Sequence, residues 1–527
     1  MNDSKKDKGI KILLVIVIIL AAAVLISDFF LWRRKTVNIA GAGGGWAKLE
    51  LILQQVEANY VDSLDKKKIT EDILPGIMAK LDPHSVYLPP EELQTAEEDL
   101  SGEFSGIGIQ FTVPNDTALV SNVIVGGPSE KAGILSGDKI ISVNDTVIAG
   151  VQMPQDSMVK LMRGPKGTKV RIKIQRQEGE PLVAFDIKRD RIPANSVDVA
   201  FMVNDTTGYI KLSKFSRNTY KEFLEALEKL KGMRKLVLDL RENGGGYLDQ
   251  ALLVANEFLE KGKLMVYMEG AHYNREEIFA DGRGKCKNTS IYVLMDEGSA
   301  SSSEIVAGAL QDNDRGTIVG LRSFGKGLVQ EPIYFSDGSG IRLTVARYHT
   351  PTGRCIQKPY SDDYMYDIYE RYRSGEMMSA DSIKVNDSLK FTTPGGRVVY
   401  GGGGIIPDIF VPIDTIGYTE FLGKCNRNSL TVKYANNVFE ANKSAIRSLT
   451  TMASLRNFLN SLDIRSGFLA YAAGKDIVPQ TGDWEISGEI ITKQIEAFIG
   501  RYTPMGDEAF YRLWLEIDRT ALKAIEQ

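Results

Sequence analysis

Residues 298–330 read GSASSSEIVAGALQDNDRGTIVGLRSFGKGLVQ and hold the side chains best suited to covalent chemistry. Ser301 stands on a turn of small residues where an amphipathic helix pattern begins. Lys326 follows 25 positions later inside Gly325-Lys326-Gly327, and Gln330 comes four after that. A serine hydroxyl attacks a carbonyl carbon only when a base takes its proton. The chain has three histidines, and the two upstream of the serine, His84 and His272, sit in no His-Asp pattern of a trypsin-like site. Lysine is therefore the base to expect, and serine with lysine is an established route to acyl transfer.

A lysine base must be neutral, yet in water its pKa is about 10.4. Burial disfavours the ammonium and lowers that value. Phe324, Leu328 and Val329 flank Lys326 and are expected to supply the apolar setting. Gln330 would hold the amine by a hydrogen bond without stabilising its charged form as a carboxylate would. Ser301 at a helix N-terminus gains partial positive charge, and the N–H of Ser302 is the natural first donor to an oxyanion. Each residue also has a purely structural explanation. Ser301-x-x-Glu304 is a capping box, Gly-Lys-Gly is a common exposed turn, and residues 243–246 (NGGG) join a strand to a helix. Glu304 reads either as a cap or as a support of the site.

These side chains need elements to hold them. Residues 236–240 (LVLDL) form a nearly continuous apolar run suited to a sheet covered on both faces. Leu248, Ala251, Leu252, Ala255, Phe258 and Leu259 make one helix stripe. Residues 291–295 are a second buried strand ending at the serine turn, 305–310 continue as helix, and 317–320 return as strand. This alternation predicts an α/β core of two or three layers over 191–412. Residues 101–190 have another texture, with short β-branched runs between Gly, Pro, Asn and Asp. The part before them, 46–100, shows a helical stripe (Leu49, Ile52, Leu53, Val56, Tyr60) and a second helix over 69–81 ended by Pro83. Residues 413–527 carry helical stripes and no recognisable chemistry, which suggests a packing, dimerisation or substrate-shielding role.

At 527 residues the chain requires several domains. Charged residues are 25% and the net charge is -4, which offers no footing for nucleic acid. Cys286, Cys355 and Cys425 are far apart and in no CxxC spacing, so neither a metal site nor a disulfide framework is indicated. The N-terminus is decisive in another way. Lys5, Lys6, Lys8 and Lys11 precede an uncharged run from Ile12 to Ser27, then Asp28 and the aromatics Phe29, Phe30 and Trp32. Residues 12–32 as a helix span about 31 Å, close to a bilayer's hydrocarbon core. Ala21-Ala22-Ala23 lies inside the run rather than after it, so 1–35 read as a basic cytoplasmic tail and an uncleaved signal anchor. Arg33, Arg34 and Lys35 on the far side weaken the charge asymmetry. Residues 36–45, rich in glycine, read as a flexible linker.

The offsets from Ser301 to Glu304, Lys326 and Gln330 resemble the catalytic segment of the C-terminal processing peptidases, the tail-specific serine peptidases of family S41 that carry a PDZ domain. The strings LDPHSVYL (81–88), YHTPTGR (348–354) and GGGGIIPD (401–408) resemble the same family. The order of turn, helix and strand over 103–144 resembles a PDZ domain. The resemblance implies a multidomain α/β protein: a membrane helix, a helical segment, a β-rich PDZ domain, a ClpP/crotonase-like protease core and a mainly helical extension. It implies catalytic roles for Ser301, Lys326 and Gln330. The loop 243–246 resembles the family's Arg-Asn-x-Gly-Gly loop, so Gly245 and Gly246 are implied as oxyanion residues beside Ser302; Gly244 replaces a common proline and should loosen the loop. Gly106, Ile107, Gly108 and Ile109 are implied to receive a peptide's terminal carboxylate. Arg163 stands at a position that in some relatives links peptide binding to the protease site. His84 is expected to be structural or gating. No cofactor or metal is implied. The expected partners are proteins with accessible C-terminal tails and the membrane, with a homo-oligomer or adaptor protein as further candidates. The expected place is a bacterial inner membrane, single-pass, with the catalytic part on the periplasmic side. Rival readings are a PDZ scaffold without catalysis and, further off, a crotonase-like acyl-CoA enzyme, which a PDZ domain and an export segment disfavour.

Overall fold

The structure is a computed structural model and describes residues 17–18, 20, 45–113, 116–124, 126–176, 179–360, 364–413 and 415–527. The expected membrane anchor and linker therefore lie outside the described residues, apart from Val17, Ile18, Leu20 and Gly45. Among the described residues no helix is long and apolar enough to cross a membrane. The chain divides into two units, Met1–Gly76 and Ile77–Gln527.

The first unit holds α1 (Gly45–Asn59) and most of α2 (Lys66–Met78). Four residues of the expected stripe, Ile52, Leu53, Val56 and Tyr60, are exposed. Helix α2 carries Pro75 inside it and stops at Met78, earlier than Pro83 suggested. Past Met78 the chain turns on i→i−3 bonds, from Lys80 N–H to Ile77 O at 3.1 Å and from Leu81 N–H to Met78 O at 2.9 Å. Asp82 then starts an Asx-type turn, its Oδ1 accepting from the amides of His84 and Ser85, both at 2.8 Å.

The second unit begins with β1 (Val86–Leu88), a strand inside the stretch expected to be helical, followed by α3 (Pro90–Ser101). The β-rich domain opens and closes on one antiparallel pair, β2 (Glu103–Gly106) with β9 (Asp190–Pro193). Between them lie β3 (Ile109–Thr112), β4 (Ala118–Val123), α4 (Pro128–Ala132), β5 (Lys139–Val143), β6 (Thr146–Val147), α5 (Gln155–Met162), β7 (Lys169–Gln175) and β8 (Val183–Lys188). The sheet order is β3-β4-β5-β7-β8 with β6 on β5, so β3 is an edge strand. Ile107, Val120, Ile140, Met158 and Ile172 fill the domain's core.

The core's main sheet has order β10-β11-β12-β15-β16-β21. Its strands are β10 (Val197–Met202), β11 (Thr207–Leu212), β12 (Lys235–Asp239), β15 (Ser290–Met295), β16 (Gly316–Gly320) and β21 (Ile409–Phe410). All pairs from β11 onward are parallel. Helices α6 (Thr219–Lys229), α7 (Leu248–Asn256) and α8 (Ser302–Asp312) cover one face. A second, antiparallel sheet runs β1-β18-β13-β14 with β17 on β18; it comprises β13 (Leu264–Gly270), β14 (Tyr273–Phe279), β17 (Leu328–Tyr334) and β18 (Gly340–His349). Between β18 and β21 the chain inserts α9 (Asp367–Arg373) and a hairpin of β19 (Lys390–Thr392) and β20 (Val398–Tyr400).

The extension folds as α10 (Glu420–Arg427), α11 (Leu430–Ala441), α12 (Lys443–Arg447), α13 (Met452–Asn460), α14 (Ile464–Ala473), α15 (Asp483–Arg501), α16 (Asp507–Trp514) and α17 (Arg519–Glu526). It has its own core of Phe421, Phe439, Leu455, Phe468, Ile495 and Leu513. The choice between two and three layers is settled here. Along β12, Leu236 and Leu238 face the helical side, while Val237 faces Leu515, Ala521 and Ala524 of the extension. The apolar run in β12 is continuous because both faces lose water, the second to the chain's own last helices.

Candidate active site

Three loops at the carboxyl ends of neighbouring parallel strands build the site, as open α/β sheets generally arrange their ligand crevice. Residues 240–247 follow β12, residues 296–301 follow β15, and residues 321–327 follow β16. Asp296 shapes the second loop, its Oδ1 accepting from the amides of Gly298, Ser299 and Glu242 at 2.9–3.1 Å.

Ser301 is the N-cap of α8 with φ 56° and ψ -114°. An ordinary N-cap is extended, and left-handed φ at a non-glycine residue costs of order 1–3 kcal/mol unless the surroundings impose it. They do so here through Glu304, which lies fully buried. Oε2 of Glu304 accepts from the N–H of Ser301 at 2.8 Å and from the N–H of Lys326 at 2.9 Å. Oε1 accepts from Gly325 N–H at 2.7 Å and from the Ser323 hydroxyl at 2.5 Å. Burial pushes this carboxyl's pKa up, and the four donors pull it back. The residue reserved between cap and support thus does both. One carboxylate oxygen clips the serine's backbone to the lysine's.

Tyr348 makes a second clip. Its buried hydroxyl donates to Lys326 O at 2.6 Å and to Ser301 O at 3.2 Å. The two carbonyl oxygens are therefore no further apart than the sum of those distances. Burial, then the charge of Glu304, raises the phenol well above its usual value, so it remains a donor.

The Lys326 amine donates to Gln330 Oε1 at 2.8 Å; no hydrogen bond joins it to the Ser301 hydroxyl among the described residues. Burial lowers its pKa, helped by the positive charge of Arg342 and opposed by Glu304 and Asp82. The apolar wall differs from expectation. Leu328 is buried, but the face of Phe324 is taken by another lysine, Lys358, whose Nζ lies 4.0 Å from the ring centre. Gln330 sits in β17 beside a register shift against β18. Its Nε2 donates to the main-chain carbonyl of His84 at 2.6 Å. That contact orients the amide, leaving the oxygen to face the lysine. His84 thus acts on the site through its backbone. Its ring bonds Tyr364 Oη at 2.6 Å, and burial together with the charge of Lys326 lowers its pKa to about 4. It is neutral in ordinary buffers and unsuited to be the serine's base.

The loop after β12 packs against the serine. Gly245 has φ 103°, and a Cβ there would lie 2.8 Å from Ser301 Cβ and 3.0 Å from Ser302 N. Its own N–H is spent on Asn243 Oδ1 at 2.9 Å. The N–H groups of Ser302 and Gly246 have no acceptor among the described residues, and the Ser302 hydroxyl donates to Gly246 O at 2.8 Å, holding the two together. At Gly244 a Cβ would meet nothing within 4 Å. Gly245→Ala is expected to lower kcat by about a hundredfold or more, the scale of a lost oxyanion contact, whereas Gly244→Ala changes it by less than about threefold. Steady-state kinetics with parallel thermal melts check both.

In the β-rich domain, Gly106 ends β2 opposite Asp190. Ile107 is buried and its carbonyl accepts from Ser129 N–H at 2.9 Å. Gly108 has φ 77°, and Ile109 begins the edge strand β3. Arg163 lies over the Phe104 ring at 4.6 Å; no hydrogen bond or ion pair links it to Ser301, Lys326 or Gln330 among the described residues. None of the described residues forms a cluster of His, Cys, Asp or Glu that could hold a metal, and all three cysteines are free thiols. The insert between β18 and β21 was not foreseen. From it Arg371 donates to Ser323 O at 3.1 Å and Glu376 pairs with Arg322 at 2.6 Å, bracing the loop that carries Lys326.

Comparison with known proteins identifies the family. The family model for Peptidase family S41 matches residues 206–365, and that for the PDZ domain matches 105–188. The carboxy-terminal processing protease CtpA of Bacillus subtilis is 35% identical over 314 residues, which are 59% of this chain and 66% of that one. A probable CtpA-like serine protease of Staphylococcus aureus is 35% identical over 348 residues, 65% of this chain and 69% of that one. The carboxy-terminal-processing protease of Bartonella bacilliformis is 38% identical over 316 residues, 58% and 71% respectively. The solved photosystem II D1 C-terminal processing protease is 27% identical, with a TM-score of 0.39 over 73% of this chain and 91% of that one. The chain spans about two thirds of the length of these curated relatives. With a PDZ domain ahead of a peptidase core, it belongs to peptidase family S41, the carboxy-terminal processing serine proteases.

Proposed function

We propose that the protein is a membrane-anchored endopeptidase that captures free C-termini of proteins in its PDZ domain and cuts them with Ser301 and Lys326. The observation that carries the reading is a lysine whose proton affinity is lowered by burial and whose backbone shares one carboxylate oxygen with the serine's. In the cycle, neutral Lys326 takes the Ser301 proton as Oγ adds to the scissile carbonyl carbon. The N–H groups of Ser302 and Gly246 face the developing oxyanion. The ammonium of Lys326 then protonates the leaving amine, which departs and leaves an acyl-serine. Water, deprotonated by the same amine, hydrolyses that ester and restores both groups. Among the described residues the amine bonds only Gln330 in the free enzyme, and closure onto the serine belongs to the substrate complex, where catalytic hydrogen bonds commonly tighten.

The PDZ reading rests on the edge position of β3 in its sheet, where an extended peptide adds as a further strand, with the turn at 106–108 at its carboxylate end. Anchoring and a periplasmic catalytic part rest on the residues before 45 alone; washing membranes with carbonate tests them, release into the supernatant being the contrary result.

Incubating wild type, Ser301→Ala and Lys326→Ala with proteins that differ only in their last few residues tests the whole scheme. Tail-dependent cleavage by wild type alone is expected, and undiminished cleavage by the lysine variant would sink it. The acidic limb of kcat/KM is expected to reflect deprotonation of Lys326. Activity rises with pH through its depressed value, because only the neutral amine accepts a proton. A profile with that limb in the ordinary lysine range, measured on a peptide without ionising side chains, contradicts the assignment.

A further inference from the structure

The helical extension, whose role no motif discloses, meets the rest of the protein at two places that bear on the reaction. At one end it rests on the PDZ domain. Lys443 Nζ donates to Gly137 O at 2.9 Å, Glu440 pairs with Lys139 at 3.7 Å, and the Phe439 ring crowds Gly137 so closely that a Cβ there would come within 2.9 Å. At the other end Asp518, the N-cap of α17, reaches the root of the oxyanion loop. Its two oxygens receive Arg241 Nη1 at 3.0 Å and Nη2 at 2.6 Å. The two ends are joined through packed rings. Phe439 stacks on Tyr502 at 4.4 Å, Arg501 lies over Phe510 at 3.8 Å, and Tyr511 packs against both the extension's core and the sheet's outer face.

Arg241 is two residues before Asn243, the hinge of the loop. Its guanidinium also holds Asp239, and its carbonyl accepts from Lys211 Nζ. Asn243 in turn takes the Ala300 N–H and the Ser303 hydroxyl on its carbonyl and the Gly245 N–H on its side chain. Arg241, Lys211 and Asp239 together leave one surplus positive charge, with Asp239 1% exposed. Asp518, 7% exposed, cancels it. Without that carboxylate a guanidinium only 21% exposed loses a bidentate partner and swings toward water, carrying the start of the loop with it.

We infer that the C-terminal extension is a strut between the PDZ domain and the oxyanion loop, and that Asp518 is a positioning residue acting through Arg241. The inference rests on the Ser301–Lys326 reading above. It commits the extension to two separable jobs: at α17 it sets the turnover of any substrate, and at Lys443 it sets how well a captured tail is presented.

The test uses the full chain and two substrates, a short internally quenched peptide with an amidated end, which the PDZ domain has no carboxylate to hold, and a protein with a free C-terminus. Asp518→Asn keeps an oxygen to cap α17 but not the charge. It is expected to lower kcat about ten- to a hundredfold on both substrates with KM within about twofold, the signature of a misplaced transition-state contact. Asp518→Glu restores the charge and is expected to recover kcat to within about threefold of wild type. Lys443→Ala is expected to raise KM about fivefold for the tailed protein alone, the worth of one ordinary hydrogen bond. Thermal melts and stoichiometric labelling of Ser301 by a fluorophosphonate normalise every rate to folded enzyme. A wild-type kcat for Asp518→Asn, a Glu variant as slow as the Asn variant, or a wild-type KM for Lys443→Ala overturns the strut. Undiminished activity of Ser301→Ala would instead overturn the catalytic reading beneath it.

Discussion

Lys326→Met abolishes turnover and raises thermal stability. Loss of the general base in serine hydrolases costs about 10⁴- to 10⁶-fold in kcat, and removing nucleophile and base together costs little more than either alone. Ser301→Ala and the double variant are therefore expected to sit at the same floor as Lys326→Met. The stability gain follows from the direction of the lysine's shift. Burial lowers the amine's pKa in the folded chain, while the unfolded chain keeps the ordinary value near 10.4. Between those two values the unfolded state binds more protons, so wild-type stability rises as pH rises. The penalty is complete below the folded value and gone above the unfolded one. Methionine fills similar space without a charge to desolvate. Its advantage in melting temperature is expected to be largest at low pH and to shrink as pH approaches the lysine's ordinary range. A constant advantage at every pH would show that the buried amine is not the source.

Glu304→Gln is the second large effect, and it runs the other way on stability. Each carboxylate oxygen faces two donors, and an amide has only one oxygen to offer. Whichever way it turns, its NH2 opposes donors at the other position, and at least one backbone N–H of Ser301, Gly325 or Lys326 loses its acceptor. A buried donor left unpaired costs about 1–3 kcal/mol, more where the lost acceptor was charged. The left-handed Ser301 also loses the bond that imposes its conformation. A fall in kcat of about a hundredfold or more, with a lower melting temperature, is expected. Wild-type kcat in the Gln variant would show that the clip between the two loops is dispensable.

The distance in sequence between a clue and its partner governs how much could be read beforehand. Ser301, Lys326 and Gln330 fall within one stretch of 30 residues, so their spacing was visible. Glu304 was visible as a cap, because capping is local, but its bonds to residues 323–326 depend on β15 and β16 lying side by side. The contact from the His84 carbonyl to Gln330 crosses 246 positions, and main-chain acceptors leave no trace in residue types. The resemblance of its glycine pair to a family loop makes Gly245 an expected donor. The structure spends its amide on Asn243 and makes its missing side chain the requirement instead. The second helix ends early in i→i−3 turns at residues 77–81, a local geometry that the proline at 83 does not encode. The insert between β18 and β21 has no strong periodicity, which is why its bracing of the lysine loop went unread.

What the sequence determined by itself is the local chemistry and the order of the parts. Short-range patterns encode it: apolar alternation, turn glycines, and a serine and lysine at fixed offsets on either side of one helix and one strand. What only the tertiary structure decided is which groups share a buried partner. One carboxylate joins the loop of Ser301 to the loop of Lys326, and the tail's last helices cover the outer face of the sheet and pair Asp518 with Arg241. Such pairings are set by how parallel strands and docked helices bring distant residues into the same dry volume. There a charge must find its opposite or leave, and no reading of neighbours along the chain can say which one it finds.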